Sequence, residues 1–262
     1  MRSPSALNRR PFQATRSRWA AVLLLLFCSS GCDLPGRPKA ADRIQAAQDE
    51  RSFDVLYRRN CAGCHGAAGN MGPAPPLNDK LFLSLVPDDE LKRVVSEGRP
   101  GTLMPGFASQ KGGQLTDEQV LVLAEGIKKR WGSSEPAPAG TPPYRLEASA
   151  PDRAGGNEDR LKLFARACAC CHGDEGRGET YAGKSDDSLA GAINVPEFVA
   201  LLSDQELRRL IITGRADLDM PGSSDGQGRP PGYKPLTSRE VTELVALLAS
   251  WRDGTRMTGK GN

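Results

Sequence analysis

Histidine is almost missing from this chain: two residues in 262, His65 and His172. Any chemistry that needs a free imidazole has at most those two to draw on. Aromatic residues make up 5% and hydrophobic residues 38%, a thin supply for a chain long enough for two domains. Small cores are commonly reinforced by disulfides or a bound group, so the composition asks for such a staple. The longest apolar run, Trp19–Cys28, is about half of the roughly 20 residues that span a bilayer. No convincing alternating run marks a β-strand. The net charge of +3 also misleads, because five arginines and no acid fall within residues 1–31 and the rest is slightly acidic. That balance excludes a polyanion-binding role, and no basic stripe or nucleic-acid motif is present.

What is present begins with the amino terminus. An Arg-rich start, a short apolar run and Ser29-Ser30-Gly31 ahead of Cys32 read as an export signal over residues 1–31. The segment resembles a lipoprotein signal, which implies that Cys32 is lipidated and begins the mature chain. Ser29 departs from the Leu usual there, and simple cleavage near Gly31 is the alternative. Asp33 resembles the residue that retains enteric lipoproteins at the inner membrane. Residues 32–50 then form a tether. The other five cysteines, Cys61, Cys64, Cys168, Cys170 and Cys171, are too few and too clustered for a disulfide framework.

The chain contains itself twice. Asn78–Gly106 matches Asn194–Gly222 without a gap at an offset of 116. The shared run pairs Glu90 and Arg93 with Glu206 and Arg209, and Met104-Pro105-Gly106 with Met220-Pro221-Gly222. Upstream, Cys61, Cys64 and His65 match Cys168, Cys171 and His172 at an offset of 107. Each copy predicts three helices. One leads into the cysteines through Phe53, Leu56 and Tyr57, or through Leu161, Leu163 and Phe164. A middle helix follows an acidic cap, presents Leu91, Val94 and Val95 or Leu207, Leu210 and Ile211, and stops at Gly98 or Gly214. A closing helix ends near Trp131 or Trp251. The Pro-rich stretch between the copies reads as a semi-extended linker.

Cys61-Ala62-Gly63-Cys64-His65 and Cys168-Ala169-Cys170-Cys171-His172 are both C-x-x-C-H, the pattern of covalent c-type haem attachment. Two thiols one helical turn apart add to the haem vinyl groups, and the next residue is held beneath the iron as proximal ligand. A zinc site built from both cysteine pairs would leave the adjoining histidines and the repeated methionines unexplained. A redox disulfide lacks its βαβ setting. With both histidines used, methionine is the remaining sixth ligand, and Met104 and Met220 share one repeat position. They lie 39 and 48 residues beyond their histidines, enough chain to return over the far face. Met71 has no counterpart and reads as local packing, and Met257 as tail.

Each copy resembles a class I cytochrome c, and the pair is similar to the dihaem cytochrome c4 type. The tether and the Asn60–Leu77 segment are also similar to lipoprotein cytochrome subunits of bacterial respiratory complexes, including alternative complex III. The expectation is an all-α chain of two tandem class I cytochrome c domains, 51–132 and 156–254, joined by a Pro-rich linker over 133–155, with a tail over 255–262. It carries two covalently bound haem c groups, with His65, Met104, His172 and Met220 as iron ligands. The resemblance implies a backbone carbonyl for the proximal histidine, from Pro73 or Pro75 in the first copy and with no obvious donor in the second. Arg99 and Arg215 are candidates for the haem propionates, or else cations at a helix C-terminus. Trp131 and Trp251 read as core, and Cys170 as a tolerated small residue. Asp217 and Asp219, beside Met220, predict the lower potential for the second haem.

The function so implied is an electron carrier, not an enzyme. It is lipid-anchored at the periplasmic face of the inner membrane, between a quinol-oxidising complex or dehydrogenase and a terminal oxidase. It has no small-molecule substrate and no nucleic-acid partner. A fixed subunit of a larger complex is the alternative. A dihaem peroxidase would need an open iron position and a free acid or base, for which no histidine remains.

Overall fold

A computed structural model describes residues 46–146, 156–178, 190–225, 229 and 231–253. The export signal with Cys28 and Cys32, most of the tether, part of the linker and the tail with Met257 lie outside the described residues. The described residues are helical, and their only extended pairings are two isolated bridges, Ala108 with Leu115 and Arg215 with Met220.

In the first half, α1 (Phe53–Asn60) leads into the single turn α2 (Ala62–His65). Then come α3 (Lys80–Leu85), α4 (Asp88–Glu97) and α5 (Asp117–Trp131). The second half repeats the order with α6 (Asn157–Ala167), α7 (Ala169–His172), α8 (Pro196–Val199), α9 (Asp204–Thr213) and α10 (Ser238–Ser250). Local chemistry accounts for these boundaries. The three acids opening α4 face the positive end of its dipole. The closing helices each start on a capping box, Thr116 with Gln119 and Thr237 with Glu240. Lys128, Lys129 and Arg130 complement the other end of α5.

Two hydrophobic cores form. The first gathers Leu56, Tyr57, Phe82, Leu91, Leu123 and Ile127 among others. The second gathers Phe164, Leu207, Ile212, Val241, Leu244 and Trp251. The predicted faces of the first half hold, with Leu91, Val94 and Val95 buried. In the second half they shift: Leu207 and Ile211 are buried, Ile212 joins them, and Leu210 is only half-buried. Two arginines, Arg208 and Arg209, are also buried in α9. Of Leu161, Leu163 and Phe164, which the sequence puts ahead of the second cysteine motif, Phe164 alone is buried.

The linker is not wholly free. Tyr144 is buried in the first core, and its carbonyl accepts from Gln205 Nε2 of α9 at 2.6 Å. Gln205 Oε1 in turn accepts from Leu146 N–H at 3.0 Å. Arg208 donates to the Pro143 carbonyl at 3.0 Å and to Thr242 and Ser238 of α10 at 3.2 and 2.9 Å. These bonds fasten the 143–146 stretch of the linker to α9, so the halves are packed together.

Candidate functional site

Cys61 closes α1, its N–H donating to the Tyr57 carbonyl at 2.8 Å, and the turn of α2 brings His65 N–H to the Cys61 carbonyl at 2.9 Å. Both thiols and the imidazole thus line one apolar cavity. The next loop fixes the ring. Ala74 N–H donates to the Cys64 carbonyl at 2.9 Å, which sets the Pro75 carbonyl 2.9 Å from His65 Nδ1. Of the two prolines, the structure selects Pro75. That carbonyl keeps the proton on Nδ1 and leaves the Nε2 lone pair for a metal. Burial pushes the His65 pKa below its ordinary value, against the upward pull of the Pro75 carbonyl, favouring the neutral, ligating ring. Burial pushes the Cys61 thiol up to about 12, with Cys64 adding to the shift.

Met104 lines the same cavity, and a glycine puts it there. Gly98 ends α4 with φ 72° and ψ −160°, a region open essentially to glycine alone. A Cβ at that position would lie 2.5 Å from the Met104 carbonyl oxygen. Arg99 N–H donates to the same oxygen at 2.9 Å. Two thiols, an imidazole with one free nitrogen, a thioether and walls such as Phe82, Leu91 and Val95 suit a covalently held haem. These residues fit the group.

The second copy repeats much of this backbone frame where it is described. His172 N–H donates to the Cys168 carbonyl at 3.0 Å. Gly214 ends α9 with φ 72° and ψ −163°, and its Cβ would lie 2.3 Å from the Met220 carbonyl oxygen. Arg215 N–H donates to that oxygen at 2.8 Å. Ala190 N–H donates to the Cys171 carbonyl, as Ala74 does to Cys64. The residue in the place of Pro75 is therefore Gly191, whose carbonyl raises the His172 pKa while burial and Arg229 lower it. His172 Nδ1 itself makes no well-formed hydrogen bond. Gly191 holds the place in the chain that the sequence left open, but its carbonyl makes no hydrogen bond to His172 Nδ1 as Pro75 does to His65. Carbonyls carry no residue signature, and only the matching Ala–Cys bond locates it. The two motifs serve separate cores, so the cysteine pairs do not form one four-thiolate zinc site.

Several sequence expectations change. Met71 is 75% exposed, with φ 63°, and is not a packing residue. Arg99 is committed across the molecule, 3.3 Å from Glu206 and 3.1 Å from the Tyr144 hydroxyl. Arg215 grips the Asp217 carboxylate with two bonds of 2.8 Å. The Arg215 contact holds Asp217 below the usual carboxylate range but also neutralises its charge, which weakens the Asp217 part of the cause given for a lower second potential and leaves the Asp219 part as it was. Trp131 and Trp251 pack as expected, lying edge-on to Tyr57 at 5.0 Å and to Phe164 at 5.5 Å. Cys170 Sγ is 3.7 Å from Cys171 Sγ, and burial pushes its thiol up to about 11. The sequence reading missed Glu206, Arg209, Phe198 and Leu201 as walls of the first cavity. All four belong to the second half.

The protein family described as cytochrome c oxidase, cbb3-type, subunit III, matches residues 48–125. Cytochrome c55X of Stutzerimonas stutzeri is 37% identical over 97 residues, covering 35% of this chain and 80% of its own length. Dihydro-heme d1 dehydrogenase of Pseudomonas aeruginosa is 31% identical over 121 residues, 45% of this chain and 24% of that protein. The cbb3-type cytochrome c oxidase subunit CcoP of Azospirillum sp. is 27% identical over 161 residues, 55% of this chain and 48% of its own. The chain therefore spans about a quarter of the dehydrogenase and about half of the oxidase subunit.

Proposed function

This chain belongs to the c-type cytochromes, and on that premise we propose that it is a dihaem electron carrier, with one haem c on Cys61 and Cys64 and another on Cys168 and Cys171. Haem supplies a one-electron centre when bound. The residues of the chain do the rest. His65 and Met104 would hold the iron of the first haem and His172 and Met220 that of the second, with the Pro75 carbonyl orienting the His65 ring. Apolar walls exclude water around the first site, and thioether ligation favours a high potential.

The observation that carries this reading is the convergence of Cys61, Cys64, His65 and Met104 on one apolar cavity, with the same backbone frame repeated at Cys168, Cys171, His172 and Met220. Each copy then stands as a class I cytochrome c domain. The export-signal pattern over residues 1–31 and Cys32 support a lipid-held position at the periplasmic face of the inner membrane. No helix among the described residues is long and apolar enough to cross a membrane. The partners are redox proteins, with electrons entering from a quinol-oxidising complex or dehydrogenase and leaving to a terminal oxidase.

The test is an optical redox titration with haem counted per chain. Two haems, both low-spin, at high potential and inert to carbon monoxide, are the expected result. One haem per chain, or a carbon-monoxide-binding centre, overturns the dihaem Met-ligated reading and reopens a catalytic one. Similarity to oxidase subunits favours a second reading, a fixed subunit of a larger oxidoreductase. Co-migration with a membrane complex after mild solubilisation supports it, and migration of the chain alone removes it.

A further inference from the structure

The first cavity is completed by residues of the second half, and one of them carries a buried charge. Arg209 of α9 is 3% exposed. Its guanidinium lies 3.5 Å from the Phe82 ring centroid, and one Nη donates to the Pro76 carbonyl, the residue after the carbonyl that holds His65. The other Nη is 3.5 Å from Glu206 Oε1, and Nε is buried with no hydrogen-bond partner. Arg99, Glu206 and Arg209 all line the cavity that His65 and Met104 line. Two guanidiniums against one carboxylate leave one net positive charge in that wall. Asp79, the other acid acting on Arg209, caps α3 through Phe82 N–H and is not among the lining residues.

We propose that the second half sets the reduction potential of the first centre through this wall, Arg209 raising it and Glu206 lowering it. A cation in a water-poor wall favours the state with one more electron, and low dielectric lets it act over distances that solvent would screen. The same pair exists in the first copy, where the Arg93 side chain is 46% exposed and Glu90 12% and neither lines the cavity, so the effect belongs to the first centre. The inference rests on the haem reading of the first motif given above.

The experiment is a redox titration of the full, haem-loaded chain, with dithionite supplying electrons and ferricyanide removing them. A Met220→Ala chain, whose second wave is displaced, identifies the first. Arg209→Gln is expected to shift the first centre roughly tenfold toward the oxidised form, about 59 mV lower for one electron. Glu206→Gln shifts it the opposite way, Arg209→Lys stays close to the parent, and Arg93→Gln moves neither wave. A packing role alone would move Arg209→Gln and Glu206→Gln in the same direction, and that result, or a first wave moved by neither, overturns the inference. Glu206→Gln is nearly isosteric and tests the sign even if Arg209→Gln folds poorly. A chain with no haem on Cys61 and Cys64 overturns the haem reading itself, whereas a fully loaded chain with an unmoved first wave overturns only the tuning.

Discussion

Glu90 and Arg93 in α4, and Glu206 and Arg209 in α9, occupy the same positions of one repeat, yet they live in different solvents. Arg93 is an ordinary surface residue. Its side chain is 46% exposed, and it binds Glu90 at 2.8 Å and Glu97 at 3.3 Å. Such a pair contributes little, because water still reaches the cation, although the Glu90 side chain is only 12% exposed. Arg209 and Glu206 have side chains 4% and 7% exposed and sit against Phe82, Pro76 and Arg99 of the other half. Duplication supplied the same two side chains twice, and packing turned one pair into the wall of a site. What a charge does here is decided by what covers it, not by its place in the helix.

The strongest way to break that comparison is to delete the cation from each pair. Arg209→Leu is expected to cost about 1–3 kcal/mol, because it leaves the buried Pro76 carbonyl without its donor while Arg99 still pairs with Glu206. Arg93→Leu at the equivalent position is expected to cost no more than about 0.5 kcal/mol. Urea unfolding of the two variants measures both. Equal losses would mean that the two pairs are equally solvated and that the wall is open to water.

Most of the frame common to both copies was legible in the sequence, and the reason is that it is local. Acidic first turns, capping boxes, the stop glycines and the C-x-x-C-H spacing act within a few residues of themselves. The asymmetry between the copies was not legible. Glu206 and Arg209 are an i, i+3 charge pair on a helix, the signature of a solvated face. Their burial depends on Pro76 and Phe82, more than a hundred residues away in sequence. Arg99 was legible as a cation beside the site, but not as one held by Glu206 and Tyr144. Met71 failed for a related reason. A methionine is usually a packing residue, and only the positive φ of its turn carries the side chain into solvent.

A second test sharpens what the copies share. Gly98→Ala and Gly214→Ala each force a side chain into φ 72° and into the carbonyl of the ligand methionine at 2.5 and 2.3 Å. The backbone conformation alone costs about 1–3 kcal/mol, and the contact adds to it by pushing the Met104 or Met220 loop outward. Both variants are expected to destabilise by similar amounts in thermal unfolding, in contrast to the unequal arginine deletions. If only one did so, the two methionine loops would not be built alike.

The smallest expected effect is also the cleanest exchange. Tyr57 and Phe164 are equivalent at the offset of 107 that relates the two cysteine motifs, and both pack edge-on to the closing tryptophan. Tyr57 alone carries a hydroxyl, which donates to the Gly66 carbonyl at 2.9 Å where the chain leaves α2. Gly173 holds that place in the second copy, with φ 71° against 77° for Gly66, so the carbonyl that Phe164 lacks a donor for is already there. Tyr57→Phe removes one partly buried hydrogen bond and is expected to cost about 0.5–1.5 kcal/mol. Phe164→Tyr is expected to gain up to that amount, provided that the second motif leaves the same space for the oxygen. Both substitutions are read by urea unfolding, with the optical spectrum checking that each motif is intact. A loss on adding the hydroxyl at Phe164, which is 1% exposed, would show that the second core closes more tightly over its motif than the first. The two copies would then differ inside their cores as well as at the surface where they meet.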